Sequence, residues 1–198
     1  MFVGIHGVWL DRLALKDLPE TWSNAGIPAR VVQRAVAYNA RWGGLCLPPA
    51  LSYDGGPHVL DIDTPEPGPP DLDWRFDAGS SRTALPYGFM IGPDGSFGIE
   101  FNRWIRLHTS IEGWIESLAF TYAMRDAATT ITKVTGDAVD ELDLTNMNPV
   151  PEVRGVADTW WRGDDSAIAI YQGEAELFQR PAFRTAYIHS GLPGEQPA

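Results

Sequence analysis

Aspartates spaced two apart are the residues of this 198-residue chain best placed to do chemistry. Asp61-Ile62-Asp63 and Asp71-Leu72-Asp73 would each set two carboxylates on one face of a strand, because side chains alternate there. Such a pair can hold a divalent cation for metal-assisted transfer to a sugar or phosphate. Asp164-Asp165 is a similar group, with Asp158 nearby and Glu174 and Glu176 beyond the next expected strand. A metal-dependent hydrolase or transferase needs Asp61, Asp63, Asp158, Asp164 and Asp165 to converge, and it is the alternative reading of the chain. The first two pairs flank a proline-rich loop, where solvated acids are the ordinary state, so no catalytic, cofactor or metal residue is assigned.

The remaining candidates for chemistry fall on local context. His6, His58, His108 and His189 are far apart, and none stands at a ligand spacing from another histidine or from Cys46. A zinc site would need long-range convergence. His108 is read as a structural histidine bonded to nearby backbone, not a general base. Gly95-Ser96-Phe97-Gly98 matches part of a nucleophile elbow, but Asp94 holds the first glycine position and a strand follows where a helix is required. The same missing helix rejects Gly92, Gly95 and Gly98 as a dinucleotide fingerprint.

A different kind of site is written in Asp158-Thr159-Trp160-Trp161-Arg162-Gly163-Asp164-Asp165. Adjacent tryptophans on a strand cannot both face inward, so one is partly exposed unless both faces of the sheet are covered. Tryptophan beside arginine and acids has the composition of a binding hot spot. Trp160, Trp161, Arg162, Asp164 and Asp165 are accordingly the expected partner-binding residues.

Charge narrows the partner. Fifteen basic residues against twenty-six acidic ones leave a formal net charge of −11, which repels nucleic acid and anionic lipid and steers a basic protein toward the surface. Hydrophobic residues make up 44% of the chain, with eight tryptophans and eight phenylalanines, enough for a sizeable core in one domain. No apolar run approaches a membrane span and no basic leader opens the chain, so a cytoplasmic location is expected. Lone Cys46 excludes an internal disulfide and is read as a buried apolar residue.

The elements that must position these residues follow from periodicity. Val31 to Arg41 has helical spacing, Pro28 near its start and Gly43-Gly44 as its stop. His58 to Ile62 reads as a short strand, and Thr64 to Pro70, with four prolines and one glycine, as a surface loop. Tyr87 to Phe101 is a β-hairpin about Gly92-Pro93-Asp94-Gly95. From Ser96 to Leu107 alternation continues through Phe101, Ile105 and Leu107, as one strand or as two joined by a bend near Asn102. Thr109 and Glu112 read as a capping box opening a helix whose face is Ile111, Trp114, Ile115, Leu118, Ala119 and Tyr122, expected to pack on the hairpin. Asp126 to Val134 continues the helical region, Ala167 to Tyr171 and Arg184 to His189 are strands, and a helix-poor excursion holding Pro181 lies between them. Strands and helices do not alternate regularly, which favours an α+β fold over a doubly wound one. Residues 1–192 form a single expected α+β domain with a mixed, mainly antiparallel twisted sheet, and 193–198 a disordered tail.

Val31 to Arg125 also resembles the SUKH superfamily. The resemblance rests on the helix followed by Trp42-Gly43-Gly44-Leu45-Cys46-Leu47-Pro48-Pro49, the Gly55-Gly56 turn, the hairpin, and Ser110-Ile111-Glu112-Gly113-Trp114-Ile115-Glu116-Ser117-Leu118. That superfamily holds bacterial immunity proteins against secreted toxins and a fungal regulator of cell-wall synthesis. The resemblance implies an α+β fold with a twisted sheet, no cofactor and a protein-binding role. The expected function is a noncatalytic cytoplasmic binding module that neutralises a toxin.

Overall fold

A computed structural model describes residues 2–11, 15, 17–68 and 73–193. The fold is α+β, and its strands form two antiparallel sheets where a single sheet is expected from the sequence. The chain makes two compact units, Met1–Trp104 and Ile105–Ala198.

The first unit is built on α3 (Ala29–Trp42), which follows α1 (Phe2–His6), the two-residue strand β1 (Val8–Trp9) and α2 (Leu18–Asn24). Pro28 precedes the first residue of α3, and the helix ends at Gly43, as the sequence predicts. Val31, Val32, Ala35 and Tyr38 are buried at helical spacing. The strands β2 (Leu45–Cys46), β3 (Pro57–Val59), β4 (Phe76–Ser81), β5 (Gly88–Ile91) and β6 (Phe97–Glu100) follow, and from β1 to β6 each pairs antiparallel with its neighbour in sequence. Helix α3 meets this sheet through Tyr38, whose hydroxyl donates to the Ala78 carbonyl at 2.6 Å and whose ring stands edge-on to Phe76 at 5.5 Å. Cys46 is half-buried, not fully enclosed, on the two-residue strand β2, where it pairs with Val8 of β1 and Val59 of β3.

Turn chemistry sets the β5–β6 hairpin. Gly92 accepts from Gly95 N at 3.0 Å and donates to Ser96 O at 2.8 Å, while the Asp94 carboxylate receives the Ser96 amide at 3.1 Å. Gly95 has φ +86°, a left-handed conformation that suits glycine. All four β6 residues are buried, so this strand is covered on both faces. The chain bends at Phe101–Arg103 before β7 (Trp104–His108), which selects the two-strand reading. Phe101 falls in the bend and is 58% exposed, while Ile105 and Leu107 are buried as expected.

The proline-rich loop is strapped down. Glu66 and Arg75 form an isolated antiparallel bridge, their amides donating to each other's carbonyls at 2.9 and 3.0 Å. Arg75 also donates from its side chain to Pro67 O. A bulge interrupts β4 between Asp77 and Gly79. Gly79 has φ +152°, and a Cβ there would stand 2.3 Å from Val59 O.

The second unit begins inside β7 and continues into α4 (Ile111–Ala127), β8 (Thr130–Thr135), β9 (Asn148–Pro149), β10 (Thr159–Arg162), β11 (Ser166–Tyr171), α5 (Gly173–Phe178) and β12 (Thr185–Ser190). Its five-stranded sheet has the order β8-β12-β11-β10-β9, all antiparallel. The cap of α4 is Ser110, one residue later than the sequence predicts, and its hydroxyl accepts from Gly113 N at 3.3 Å. Glycine at that third helical position has no side chain to complete a capping box. Ser117 and Thr121 are buried beside Ile111, Trp114, Ile115, Leu118 and Tyr122, so the buried surface is wider than the apolar face. Within this unit the helix meets β10 and β11: Ser117 Oγ accepts from the Trp160 indole at 3.2 Å, and Thr121 lies 3.5 Å from the Tyr171 hydroxyl.

Helix α4 stops at Ala127, and the residues expected to extend it form β8. Thr130, Ile131, Thr132 and Val134 are β-branched and favour the extended backbone. The expected strands at 167–171 and 184–189 are β11 and β12, side by side, with the short helix α5 in the excursion between them. Of the expected tail, residues 194–198 lie outside the described residues. Among the described residues no helix is long and apolar enough to cross a membrane.

Candidate functional site

Strand β10 carries the residues expected to bind a partner and sends its two tryptophans to opposite faces. Trp160 is 1% exposed. It is held by the bond to Ser117, by Phe120 edge-on at 4.9 Å and by His189 stacked at 5.7 Å. Trp160 is therefore a core residue, and its place among the contact residues is corrected on that ground. Trp161 is half-buried and lies against the cluster of Val139, Ile168, Ile170 and Ala186. Its indole donates to Thr159 Oγ1 at 3.3 Å.

Past Trp161 the strand reaches a cleft. Arg162 pairs with Ala167 of β11 and with Asn148 of β9, and the turn closes by Gly163 N donating to Ser166 O at 2.8 Å. The Arg162 guanidinium donates to the carbonyls of Ser166 at 3.3 Å and Pro193 at 3.2 Å. Asp164 and Asp165 are exposed on the turn, and Asp165 O accepts from Leu192 N at 2.8 Å. A cavity of about 590 Å³ opens here, lined by Asn148, Pro149, Val150, Pro151, Glu152, Arg162, Gly163 and Asp164. Its far wall is a single 3-10 turn, Pro151–Val153, which brings Glu152 to the site. Glu152 and Asp164 are exposed and have no ion pair among the described residues. The sequence offered no pointer to Glu152 beyond the prolines at 149 and 151, which mark a turn.

The other acids do not join this cleft. Asp158 is 1% exposed and accepts from Gln172 N at 3.1 Å, at the start of α5. In the first unit Asp61 and Asp63 line a cavity of about 160 Å³ with Asp77. Asp61 accepts from Ile62 N at 2.8 Å, and Asp63 from Thr64 N. Burial, with Asp63, Glu66 and Glu100 nearby, raises the Asp77 carboxyl above the usual range. Asp71 lies outside the described residues. No three His, Cys, Asp or Glu side chains among the described residues are grouped to hold a metal, so the convergence that the metal-enzyme alternative needs is missing there.

Two histidines are enclosed. His108 is 1% exposed, edge-on to Trp114 at 5.8 Å, and its Nε2 has no partner among the described residues. It is thus structural, but less completely bonded than the sequence predicts. Burial lowers its pKa from 6.5 to about 4. His189 is likewise lowered by burial, and neither ring nitrogen has a partner among the described residues. Their surroundings are aromatic and closed, which suits packing and not proton transfer to a substrate. No family model, curated protein or solved structure matches the chain.

Proposed function

We propose that the protein is a noncatalytic binding module that takes a basic protein partner in the cleft beside β10. The observation that carries this reading is a pair of exposed carboxylates, Glu152 and Asp164, that line one cavity and have no ion pair among the described residues. A lysine or arginine side chain entering between them gains ion pairs that they lack among the described residues, and the prolines of the lining supply apolar contact beside them. The net charge of −11 steers such a partner toward the molecule. The resemblance of Val31 to Arg125 to SUKH proteins narrows the partner to a secreted toxin, and the role to immunity.

The test is capture of partners from cells by the immobilised chain at low ionic strength, compared with a Glu152→Gln/Asp164→Asn variant. A basic protein retained by the wild type should be released by salt and held roughly tenfold more weakly by the variant. Retention of nothing at low salt, or equal retention by the variant, removes the cleft as the binding site.

A further inference from the structure

A short lid closes over His108. Residues 151–157 run outside the sheet, from the 3-10 turn that carries Glu152 toward the start of β10. Each end is tied: Val150 N donates to Trp160 O at 2.9 Å, and the Asp158 carboxylate accepts from Gln172 N at 3.1 Å. Between the ties, one backbone bond among the described residues reaches another element, from Val156 N to Leu107 O at 2.6 Å. The buried residues of the span are the small ones, Val153, Gly155 and Ala157, while Glu152, Arg154 and Val156 are exposed. A span so lightly attached opens at lower cost than the sheet beside it.

The imidazole lies close beneath this span. A Cβ on Gly155 would stand 3.2 Å from His108 Cε1, and one on Gly113, in the first turn of α4, 3.4 Å from His108 Nδ1. Two glycines thus close on the ring, and its Nε2 has no partner among the described residues. An imidazolium carries two N–H donors that both need acceptors, so the closed site disfavours the charge. The positive end of α4 begins just beyond and opposes it further. Arg106 on β7, Glu112 and Glu116 on α4, and Glu152, Arg154 and Asp158 along the lid do not offset this; burial alone accounts for the lowered pKa of His108.

We propose that residues 151–157 are an acid-released lid: a proton on His108 lifts them from β7 and α4 and carries Glu152 out of the cleft. Helix α4 is tied to β10 and β11 through Ser117 and Thr121, so the lid is the wall that gives. Its opening would weaken a partner only if the cleft is the binding site, the reading on which this consequence rests; the opening itself stands apart from that reading.

Two pKa values set the direction. The open lid returns His108 to its ordinary 6.5, and the closed lid holds it at about 4. As pH falls through 6.5, the open form binds a proton that the closed form refuses until about 4. The open fraction therefore climbs about 30-fold between about pH 7.5 and about pH 5.

Amide hydrogen exchange of the full chain, corrected for the intrinsic effect of pH, reads the opening at Val156 N–H. Its protection should lie at least tenfold below that of the β11 amides at every pH, and should fall roughly 30-fold from about pH 7.5 to about pH 5. His108→Gln should hold it level over the same range. Equal protection at Val156 and β11 would mean that the molecule opens as a whole, which overturns the proposal. So does protection at Val156 that ignores pH, and both of these outcomes are read on the wild type. A pH response that survives His108→Gln assigns the proton to another group and overturns it as well. None of these readouts involves a partner, so their failure leaves the proposed function standing.

Discussion

Arg75 and Glu100 form an ion pair inside the first unit, with side chains 13% and 8% exposed. Arg75 also holds the strapped loop through Pro67 O and lies 3.7 Å from Glu66. A charge this deeply enclosed is costly without its partner. Arg75→Met should therefore destabilise the protein by about 3–5 kcal/mol, and Arg75→Met/Glu100→Leu should recover most of the loss. Urea unfolding of the three proteins checks this; a single variant within about 0.5 kcal/mol of wild type would show that water reaches the pair.

The enclosed histidines make acid a denaturant. Above pH 7 they are neutral in both the folded and the unfolded chain and contribute nothing to pH dependence. As pH falls through 6.5, the unfolded chain binds a proton that folded His108 refuses until about pH 4, so stability declines across that window and levels off below it. The loss from His108 amounts to about 3 kcal/mol, and His189 adds to it with the same sign. Unfolding free energies from about pH 7.5 to about pH 4 should show this decline, and His108→Gln should flatten it. A profile unchanged by that substitution would place the acid sensitivity elsewhere.

Trp160 and Trp161 are neighbours with different duties. Trp160→Ala opens a cavity in the core and strands the Ser117 hydroxyl, so it should cost about 3–5 kcal/mol. Trp161→Ala removes a half-buried ring from the Val139, Ile168, Ile170 and Ala186 cluster and should cost about 1–2 kcal/mol. Denaturation of both variants checks the order, and a reversal would mean that Trp161 is the core residue of the pair.

How far the fold could be read in advance depended on how local its determinants are. The β5–β6 hairpin was legible because Gly92-Pro93-Asp94-Gly95 sets its own backbone, and α3 because Pro28 and the Gly43-Gly44 pair bracket a regular apolar spacing. Strand β8 reads as helix in the sequence because α4 runs into it with only Ala128 and Thr129 between; Thr130 and Thr132, which weaken a helix there, help to build the strand. The division of the strands between two sheets depends on pairings between distant residues, which periodicity does not encode. The candidate site was half legible. Arg162 and Asp164 lie close in sequence, but Glu152 joins them only because Asn148–Pro149 pairs with β10, and the burial of Trp160 depends on Ser117, 43 positions away.

Gly79 ends up more constrained than any residue of the cleft. Its backbone torsion and its closeness to the Val59 carbonyl admit one amino acid alone, whatever the surroundings become. Chains that descend from the same ancestor and keep the bulge must keep that glycine when little else has survived. A profile anchored on this one column, between an aromatic strand start and a serine pair, would recognise remote kin that overall identity overlooks.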